Sequence, residues 1–401
     1  MCIKKKNIKK KYIKKNTKNF YRAIISLFLA GFSTFAILYS IQPILPVFSR
    51  IFLLTPLESS FSLSVSTLSM AFGILFIGPV SNFFGRKNVM SISLFCASFF
   101  TILCAFSKNW LEIIIIRGLV GFSLSGVTSI AITYLSEEFD PKILSLCIGL
   151  YISGNTIGGL VGRLISNIIV RVLSWNWVFI IIGFFSLFCT ILFIYYLPKS
   201  KNFKFLKEVN YEILIDSFYK PFTMENCLIL FLVGFLFMGS FVALFNYIGY
   251  RLIMKPFLLH PIYVSLLSII YLIGVYSSPQ ASFLSNYYGR IFVLKFALFI
   301  MILGVILTYS NFLFIILIGL IFFTTGFFIA HSTASSWISD MTKKYRLEIS
   351  SLYFFFYYLG SSVFGSFSGF FWFYWGWSGV FFILNFILII CLFLMRRLHD
   401  D

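Results

Sequence analysis

The amino-acid sequence predicts an all-α membrane protein whose twelve transmembrane helices form two pseudo-symmetric halves of six. Of its 401 residues, 60% are hydrophobic and only 11% are charged, whereas soluble domains are about half apolar and about a quarter charged. Apolar runs recur along the chain at the ~20 residues that one helix needs to cross ~30 Å of hydrocarbon. Short polar motifs of the first half also recur in the second. The composition therefore excludes a soluble enzyme.

A basic segment at 1–22 precedes the predicted amino-terminal half, 23–198. Its first 20 residues contain nine lysines, and no folded motif that would bind nucleic acid accompanies them. We expect this segment to be a solvated cytoplasmic tail that lies against anionic lipid. Apolar runs predict the six helices that follow it at about 23–48, 58–82, 88–107, 110–135, 143–169 and 174–197.

A hydrophilic stretch at 199–225 marks the boundary between the two halves. It contains five lysines and four acidic residues, which predicts a cytoplasmic central loop. The carboxy-terminal half, 226–395, precedes a second short cytoplasmic tail at 396–401. Apolar runs predict its helices at about 226–250, 262–284, 291–309, 312–337, 347–371 and 375–395.

The distribution of lysine and arginine predicts the orientation in the membrane. Twelve spans place both termini on one side, and cytoplasmic loops carry an excess of basic residues. With the termini inside, few basic residues remain in outer loops, namely Arg50, Lys108, Arg171, Arg251 and Lys255. Arg117 and Arg163 fall within predicted helices. We therefore expect a multi-pass protein of a bacterial inner membrane with both termini in the cytoplasm.

Four motifs of the first half recur in the same order in the second half. Residues 81–86, 135–137, 151–159 and 175–177 match residues 285–290, 338–340, 357–365 and 375–377, in that order. The nearly constant spacing indicates an internal repeat. Two halves with the same orientation in one membrane predict a cavity between them near the midplane.

The clearest motif, Gly78-Pro-Val-Ser-Asn82-Phe-Phe-Gly85-Arg86-Lys87, joins predicted helices 2 and 3. It resembles motif A of the major facilitator superfamily, G-x-L-x-D-R-x-G-R-K. Asn82 replaces the aspartate of the family, and Phe83 replaces its first arginine. Asparagine can cap a helix but carries no charge, so this copy of the motif lacks the charge of the family's gate at this position. The second copy supplies three further gate candidates: Asn286, Gly289 and Arg290.

The resemblance covers nearly the whole chain and extends to the YnfM-like (drug/arabinose-efflux-type) group of bacterial inner-membrane proteins. It rests on residues 39–46, 117–126, 134–138 and 330–337, and it implies secondary transport. Helix 5 also resembles motif C of the family's antiporters, G-P-x-x-G-G, without its proline. The matching residues and the next glycine of the row are Gly154, Gly158, Gly159 and Gly162. Glycine at every fourth position also allows close helix packing by itself.

Two arginines of the repeated turn have acidic residues at matching places in the repeat. Glu137 and Asp340 end predicted helices 4 and 10 on the same side of the membrane as Arg86 and Arg290. We predict the pairs Arg86–Glu137 and Arg290–Asp340, which would clamp that side in one state and loosen in the other. The alternative is a pair of solvated surface contacts worth ~0–1 kcal/mol.

Arg117 is the strongest single signal, because arginine near the centre of a membrane helix costs ~2.5–3.5 kcal/mol on insertion scales. At about 3.6 residues per turn, Arg117, Gly121, Ser125 and Thr128 lie on one face of helix 4. A charge among small polar residues predicts a face turned to the cavity. The position matches the family's motif B arginine, which implies proton coupling. The alternative is that Arg117 extends towards the outer headgroups.

Four more residues are weaker candidates for solute or proton contacts. His331 is the only histidine within a predicted helix, and histidine titrates in the physiological range. It could relay protons, or it could be a structural, hydrogen-bonded residue. Gln42, Asn246 and Tyr247 lie on helices 1 and 7, which line the central cavity in the family, so the resemblance implies contacts with the substrate.

All thirteen acidic residues lie in predicted loops, tails or helix ends. A proton-coupled carrier would therefore depend on Arg117, His331 or an acid near a helix end such as Glu137. The leading hypothesis is proton-coupled export of a small organic solute by alternating access. Three alternatives stay open, namely an uncoupled facilitator, a membrane-embedded transferase and a carrier that has lost its function.

The sequence predicts no enzymatic activity, no cofactor and no metal site. The seven cysteines have no C-x-x-C spacing, and there is no Walker motif. The expected partners are a small-molecule solute, protons and the lipid bilayer, without nucleic acid. Many phenylalanines favour a moderately hydrophobic or weakly polar solute, and a monomer is the default oligomeric state.

Overall fold

The computed structural model describes residues 12–140, 143–202, 218–341 and 346–399. Most of the lysine-rich tail, at 1–11, and most of the central loop, at 203–217, lie outside the described residues. Within those ranges the chain is helical, and its only extended pairing is an isolated bridge between Ile13 and Phe139. Ile13 donates its N–H to the carbonyl of Glu138 at 2.7 Å, so the tail touches the first half next to its fourth helix.

Six long helices form the amino-terminal half. Pro43 and Pro46 lack the N–H that would continue the first helix, so it breaks after Tyr39 and resumes as a short helix, Leu45–Ile51. Thr55 and Glu58 form a capping box at the start of the second. The six are α1 (Lys18–Tyr39), α2 (Pro56–Phe84), α3 (Arg86–Cys104), α4 (Trp110–Glu138), α5 (Leu144–Val172) and α6 (Trp175–Tyr196).

The carboxy-terminal half repeats this arrangement. Its second helix is preceded by a short helix, Pro261–Leu266, and a 3₁₀ turn. The last two spans run on as Arg346–Leu394 and are divided by the non-helical Gly376, so we call residues 346–375 α11 and residues 377–394 α12. The other four are α7 (Glu225–Ile253), α8 (Leu272–Tyr288), α9 (Arg290–Leu307) and α10 (Leu313–Met341).

The predicted fold class is confirmed. Ten stretches of the described chain are long and apolar enough to cross a membrane, and α5 together with the division at Gly376 brings the number of spans to twelve. Large apolar side chains such as Phe76, Phe188 and Phe314 are exposed on the outer surface, as lipid contact requires. Asn226 at the start of α7 donates to the carbonyl of His399 after α12. We call the side on which both described chain ends lie the terminal face.

Glycines bring helices into backbone contact in both halves. A Cβ at Gly154 would lie 2.5 Å from the carbonyl oxygen of Phe28, and one at Gly158 would lie 2.1 Å from that of Phe32, so α5 rests directly on α1. In the second half a Cβ at Gly360 would lie 1.9 Å from the carbonyl oxygen of Phe235, so α11 rests on α7 in the same way. Each half is therefore held together by close contact of its own helices.

The halves meet along α2 and α11. Near the face opposite the termini, Ser362 donates to the carbonyl of Ser64 at 2.8 Å. Further towards the terminal face, the rings of Phe72 and Phe355 pack edge to face with centroids 5.5 Å apart. The contact places residues far apart in the chain next to each other, which positions the site described below.

Candidate functional site

The repeated turns at the terminal face have the same backbone conformation. Gly85 has φ 85° and ψ 143°, and Gly289 has φ 85° and ψ 152°. Residues that carry a Cβ strongly disfavour these angles. This explains why both copies have a glycine at this position. Each turn delivers an arginine, Arg86 or Arg290, to the first position of the following helix.

Both ion pairs predicted from the repeat are present, but they differ in burial and in the number of contacts. Arg86 is buried and meets Glu137 through two contacts, Nη2 to Oε1 at 2.9 Å and Nε to Oε2 at 3.2 Å. It also donates to Ser81. Arg290 reaches Asp340 through one contact of 2.6 Å, and both side chains are more exposed than those of the first pair. Each pair joins neighbouring helices within one half, so neither crosses between the halves in this structure.

Arg117 is fully buried and bonds to the broken end of α1. Its guanidinium donates to the carbonyls of Ile37 at 3.3 Å and Leu38 at 3.1 Å, and its Nε donates to the carbonyl of Ser62 at 3.3 Å. Carbonyls at a helix end lack intrahelical partners and carry the negative end of the helix dipole. Arg117 thereby supplies hydrogen-bond donors to the carbonyls that the break near Pro43 leaves without partners. It has no carboxylate partner among the described residues. Its side chain is enclosed within the protein and does not reach the protein surface.

The small residues that share a face with Arg117 pack against α2, contrary to the expectation that they would line a cavity. A Cβ at Gly121 would lie 2.0 Å from the carbonyl oxygen of Ser66. A Cβ at Gly73 of α2 would meet the hydroxyl of Ser125. Small and polar residues here bring two helices close together. A row of such residues on one helix face suits close helix packing as well as it suits a cavity wall.

A chain of hydrogen bonds crosses between the halves and includes two of the predicted substrate contacts. Arg163 of α5 donates to Oε1 of Gln42 at 2.6 Å, and Gln42 donates to Oδ1 of Asn246 at 2.8 Å. Asn246 donates in turn to the carbonyl of Gly365 on α11 at 3.2 Å. The break after α1 and the helices α5, α7 and α11 therefore meet through one polar connection between the halves, which we call the polar bridge.

The guanidinium of Arg163 lies between two tyrosine rings. Its central carbon is 4.2 Å from the ring centroid of Tyr39 and 4.3 Å from that of Tyr271, both distances typical of cation–π contacts. Tyr39 belongs to the first half and Tyr271 to the second. Arg163 is only 4% exposed, so the two halves enclose a positive charge between them.

His331 of α10 lies in an aromatic layer that continues to the polar bridge. Its Nδ1 is 3.2 Å from the hydroxyl of Tyr353, and its ring is 4.6 Å from that of Tyr357. Phe327 stacks on His331 on one side and on Phe241 on the other, and Phe241 meets Tyr271 at 5.3 Å. The layer thus leads from the histidine to the ring that covers Arg163.

Tyr247 lies on α7 beside Asn246 and is buried where α7 packs against α11. Its hydroxyl donates to the carbonyl of Gly365 at 3.2 Å, and its ring stacks on Trp372. The side chain is fully buried against α11. Because Asn246 donates to the same carbonyl, Tyr247 meets the polar bridge at its last member.

Known proteins resemble this chain along its whole length. The family model described as Major Facilitator Superfamily matches residues 27–250. The chain belongs to the major facilitator superfamily. An uncharacterized transporter of Buchnera aphidicola subsp. Schizaphis graminum is 52% identical over 95% of this chain and 91% of its own length. The inner membrane transport protein YnfM of Escherichia coli is 45% identical over 97% and 93%. The crystal structure of the nucleoside transporter NupG superposes with a TM-score of 0.76 over 94% of this chain and 100% of the other, at 14% identity.

Membership of the superfamily makes the chain a membrane transporter and excludes an enzyme. The structure also places the remaining residues that resemble the superfamily's motifs. Asn82 is half-buried at the end of α2, and Asn286 is exposed. Lys87 donates to the carbonyl of Leu197 at 2.5 Å, just after α6. Gly78 approaches Ser351 at the start of α11, so at the terminal face the first half touches the second beside this turn.

The glycines that resemble motif C contact α1. Added Cβ atoms at Gly154 and Gly162 would meet the carbonyl oxygens of Phe28 and Ala36, as described above for Gly158. Gly159 instead faces the side chain of Arg163 on its own helix. In this superfamily member the motif therefore sets the distance between α1 and α5 and leaves room for the arginine.

Sequence reasoning noted that Arg163 lies within a helix but did not include it among the site residues. Two signals in the sequence could have identified it. The repeat aligns Arg163 with Gly369, so a charge is present in only one half. The repeat also aligns Gln42 with Asn246, two polar residues at equivalent places in apolar helices. Equivalent positions meet where a pseudo-two-fold axis passes, and these two are in contact.

Proposed function

We propose that this transporter exports a small organic solute in exchange for protons, by alternating access. The observation that carries the proposal is the polar bridge with its aromatic layer, because it is built from both halves and enclosed between them. A solute bound there would contact both halves at once. Movement of one half against the other would then open the site to one side of the membrane at a time.

The gate residues fit this movement as stabilisers of each half. Arg86–Glu137 and Arg290–Asp340 tie together the helix ends of α3–α4 and α9–α10, so each half would move as one body. The halves would separate at the terminal face along α2 and α11, where Gly78 approaches Ser351. The arginine- and lysine-rich loops support a cytoplasmic location for this face.

His331 is the proposed proton-exchanging group. It is the one histidine in the described membrane helices, it hydrogen-bonds Tyr353, and it lies in the aromatic layer that leads to Arg163. Protonation of His331 would place a second positive charge in the same apolar layer. Because the two like charges repel in a medium of low dielectric constant, proton binding and solute binding would influence each other. The role of Arg117 in coupling, implied by the superfamily resemblance, stays a prediction.

An uncoupled facilitator is the second candidate. The observation that favours it is that no aspartate or glutamate lies in the middle of a described membrane helix. The acidic residues of the described helices lie near their ends, as Glu58 and Glu112 do near the face opposite the termini. Many proton-coupled carriers would place a carboxylate further inside the membrane.

Transport by inverted membrane vesicles distinguishes these proposals. A pH-sensitive dye would follow a preset proton gradient while amphipathic drugs, sugars and organic acids are added, with His331→Gln as the test variant. Proton-coupled export predicts that a solute collapses the gradient in wild type but not in the variant. Equilibration of labelled solute without proton movement would establish the facilitator. If no solute of the panel moves although the protein is folded and inserted, the assignment of this solute class is wrong.

A further inference from the structure

The guanidinium of Arg163 is buried and has unused hydrogen-bonding capacity. Its Nε donates to Gln42 and its Nη1 donates to the carbonyl of Gly159 at 2.7 Å. Its Nη2 has no hydrogen-bond partner within the described part of the chain, although it is buried. No carboxylate of the described residues forms an ion pair with it. Buried charges in proteins are otherwise paired, bound to a ligand or hydrogen-bonded to carbonyls with each donor, as Arg117 is.

A second polar group beside Arg163 is in the same situation. The hydroxyl of Tyr271, whose ring covers the guanidinium, is buried and lacks a hydrogen-bond partner among the described residues. The two groups belong to different halves, since Arg163 lies on α5 and Tyr271 directly precedes α8. A guanidinium N–H group and a tyrosine hydroxyl, both buried and without a described partner, therefore lie close to the boundary between the halves, one from each half.

The chemistry of these groups selects an anion with two oxygens. A guanidinium presents its N–H groups in a planar fork that matches a carboxylate, and a tyrosine hydroxyl can donate as well. One arginine neutralises one negative charge, so a dianion would carry an excess charge into the apolar interior. A neutral acceptor would leave the arginine charge uncompensated. A monocarboxylate can accept hydrogen bonds from both the guanidinium and the hydroxyl, and its single negative charge neutralises that of the arginine.

The surroundings of Tyr271 add a preference for an apolar body. Phe245 lies 4.7 Å from its ring and Phe241 lies 5.3 Å from it, and Phe327 stacks on Phe241 at 3.8 Å. Resting on the proposed transport function, we propose that Arg163 binds the carboxylate of the transported solute, whose class is small monocarboxylates with an aromatic or aliphatic body. Tyr271 completes the site from the other half.

This assignment also describes how the site would release its ligand. Arg163 and Tyr39 stay together when the halves move, whereas Tyr271 leaves with the carboxy-terminal half. The anion then loses one donor and one aromatic cover, and water reaches the guanidinium. Tight binding is therefore confined to the enclosed state, in which both halves contribute.

Equilibrium binding to the purified full-length protein tests the proposal. The probes are radiolabelled benzoate and hexanoate, with benzamide and hexanamide as neutral counterparts of the same shape. We expect saturable binding of both carboxylates, at least tenfold tighter than binding of the amides. In Arg163→Gln carboxylate affinity should fall tenfold or more, and in Arg163→Lys, which keeps the charge but not the fork, it should fall less. Arg50→Gln removes an exposed arginine and should leave binding unchanged.

Several outcomes would overturn the inference. Equal affinity for carboxylates and amides in wild type would do so without any variant, which covers the case that Arg163→Gln does not fold. Carboxylate binding that survives in folded Arg163→Gln would also refute it, as would a folded wild type that binds neither carboxylate. If the vesicle assay shows transport of neutral solutes with no carboxylate among them, the assignment of Arg163 fails while the proposed transport function stands. If no solute moves but the carboxylates bind as expected, the transport proposal fails instead.

Discussion

Glu137→Gln should destabilise the protein considerably more than the equivalent change Asp340→Asn in the other half. Loss of one partner from a buried ion pair costs about 3–5 kcal/mol, because the other charge stays buried and unpaired. The side chain of Arg86 is 5% exposed and that of Glu137 is 26% exposed, so solvent reduces this figure to about 2–3 kcal/mol. The side chains of Arg290 and Asp340 are 36% and 54% exposed, which leaves at most about 1 kcal/mol.

Reversible unfolding of the purified protein in mixed detergent micelles would measure both effects. A double-mutant cycle with Arg86→Gln isolates the pair itself, and we expect a coupling energy of about 2 kcal/mol. The same cycle on Arg290 and Asp340 is the matched control, with an expected coupling below about 0.5 kcal/mol. Equal coupling energies in the two halves would refute the reasoning from burial. A Glu137→Gln protein as stable as wild type would refute it as well.

Three further predictions concern packing, backbone and the broken helix. Gly158→Ala should lower the yield of folded protein because its Cβ would collide with the carbonyl of Phe32, whereas Gly149→Ala on the same helix faces open space and should be silent in size-exclusion profiles. Gly85→Ala should cost about 1–3 kcal/mol from its positive φ, and an unchanged unfolding midpoint would contradict this. Arg117→Met should lower the free energy of unfolding by at least about 2 kcal/mol, since buried carbonyls lose their donors. A variant as stable as wild type would show that Arg117 does not hold the end of α1.

Much of the architecture is local information and is therefore present in the sequence. Twelve apolar runs specify twelve helices, because the bilayer requires each span to satisfy its own backbone hydrogen bonds. The two ion pairs also followed from the repeat. An arginine and an acidic residue that lie at neighbouring helix ends in one half lie at the equivalent helix ends in the other half, so a contact in one half predicts a contact in the other. The break in α1 was missed, although Pro43 and Pro46 were present, because an apolar run by itself does not show where a helix is interrupted.

Some assignments depended on which helix lies opposite a given face. Arg117 and its small neighbours were expected at a cavity, and they meet α1 and α2 instead. Tyr247 stays a predicted substrate contact, and its hydroxyl bonds to the carbonyl of Gly365 at the end of the polar bridge. Small polar residues on a helix face serve a cavity and a tight helix contact equally well, so the pattern cannot distinguish the two.

The sequence by itself therefore determined the fold class, the two halves and the turns that join their helices. Only the tertiary structure decided the candidate site, because its parts come from distant segments. Arg163, Gln42, Asn246 and Tyr271 come from four separate segments of the two halves, and their contacts arise from the way the halves pack. Burial of a charge and the absence of its partner among the described residues are properties of that packing. They become visible only once the surrounding helices are in place.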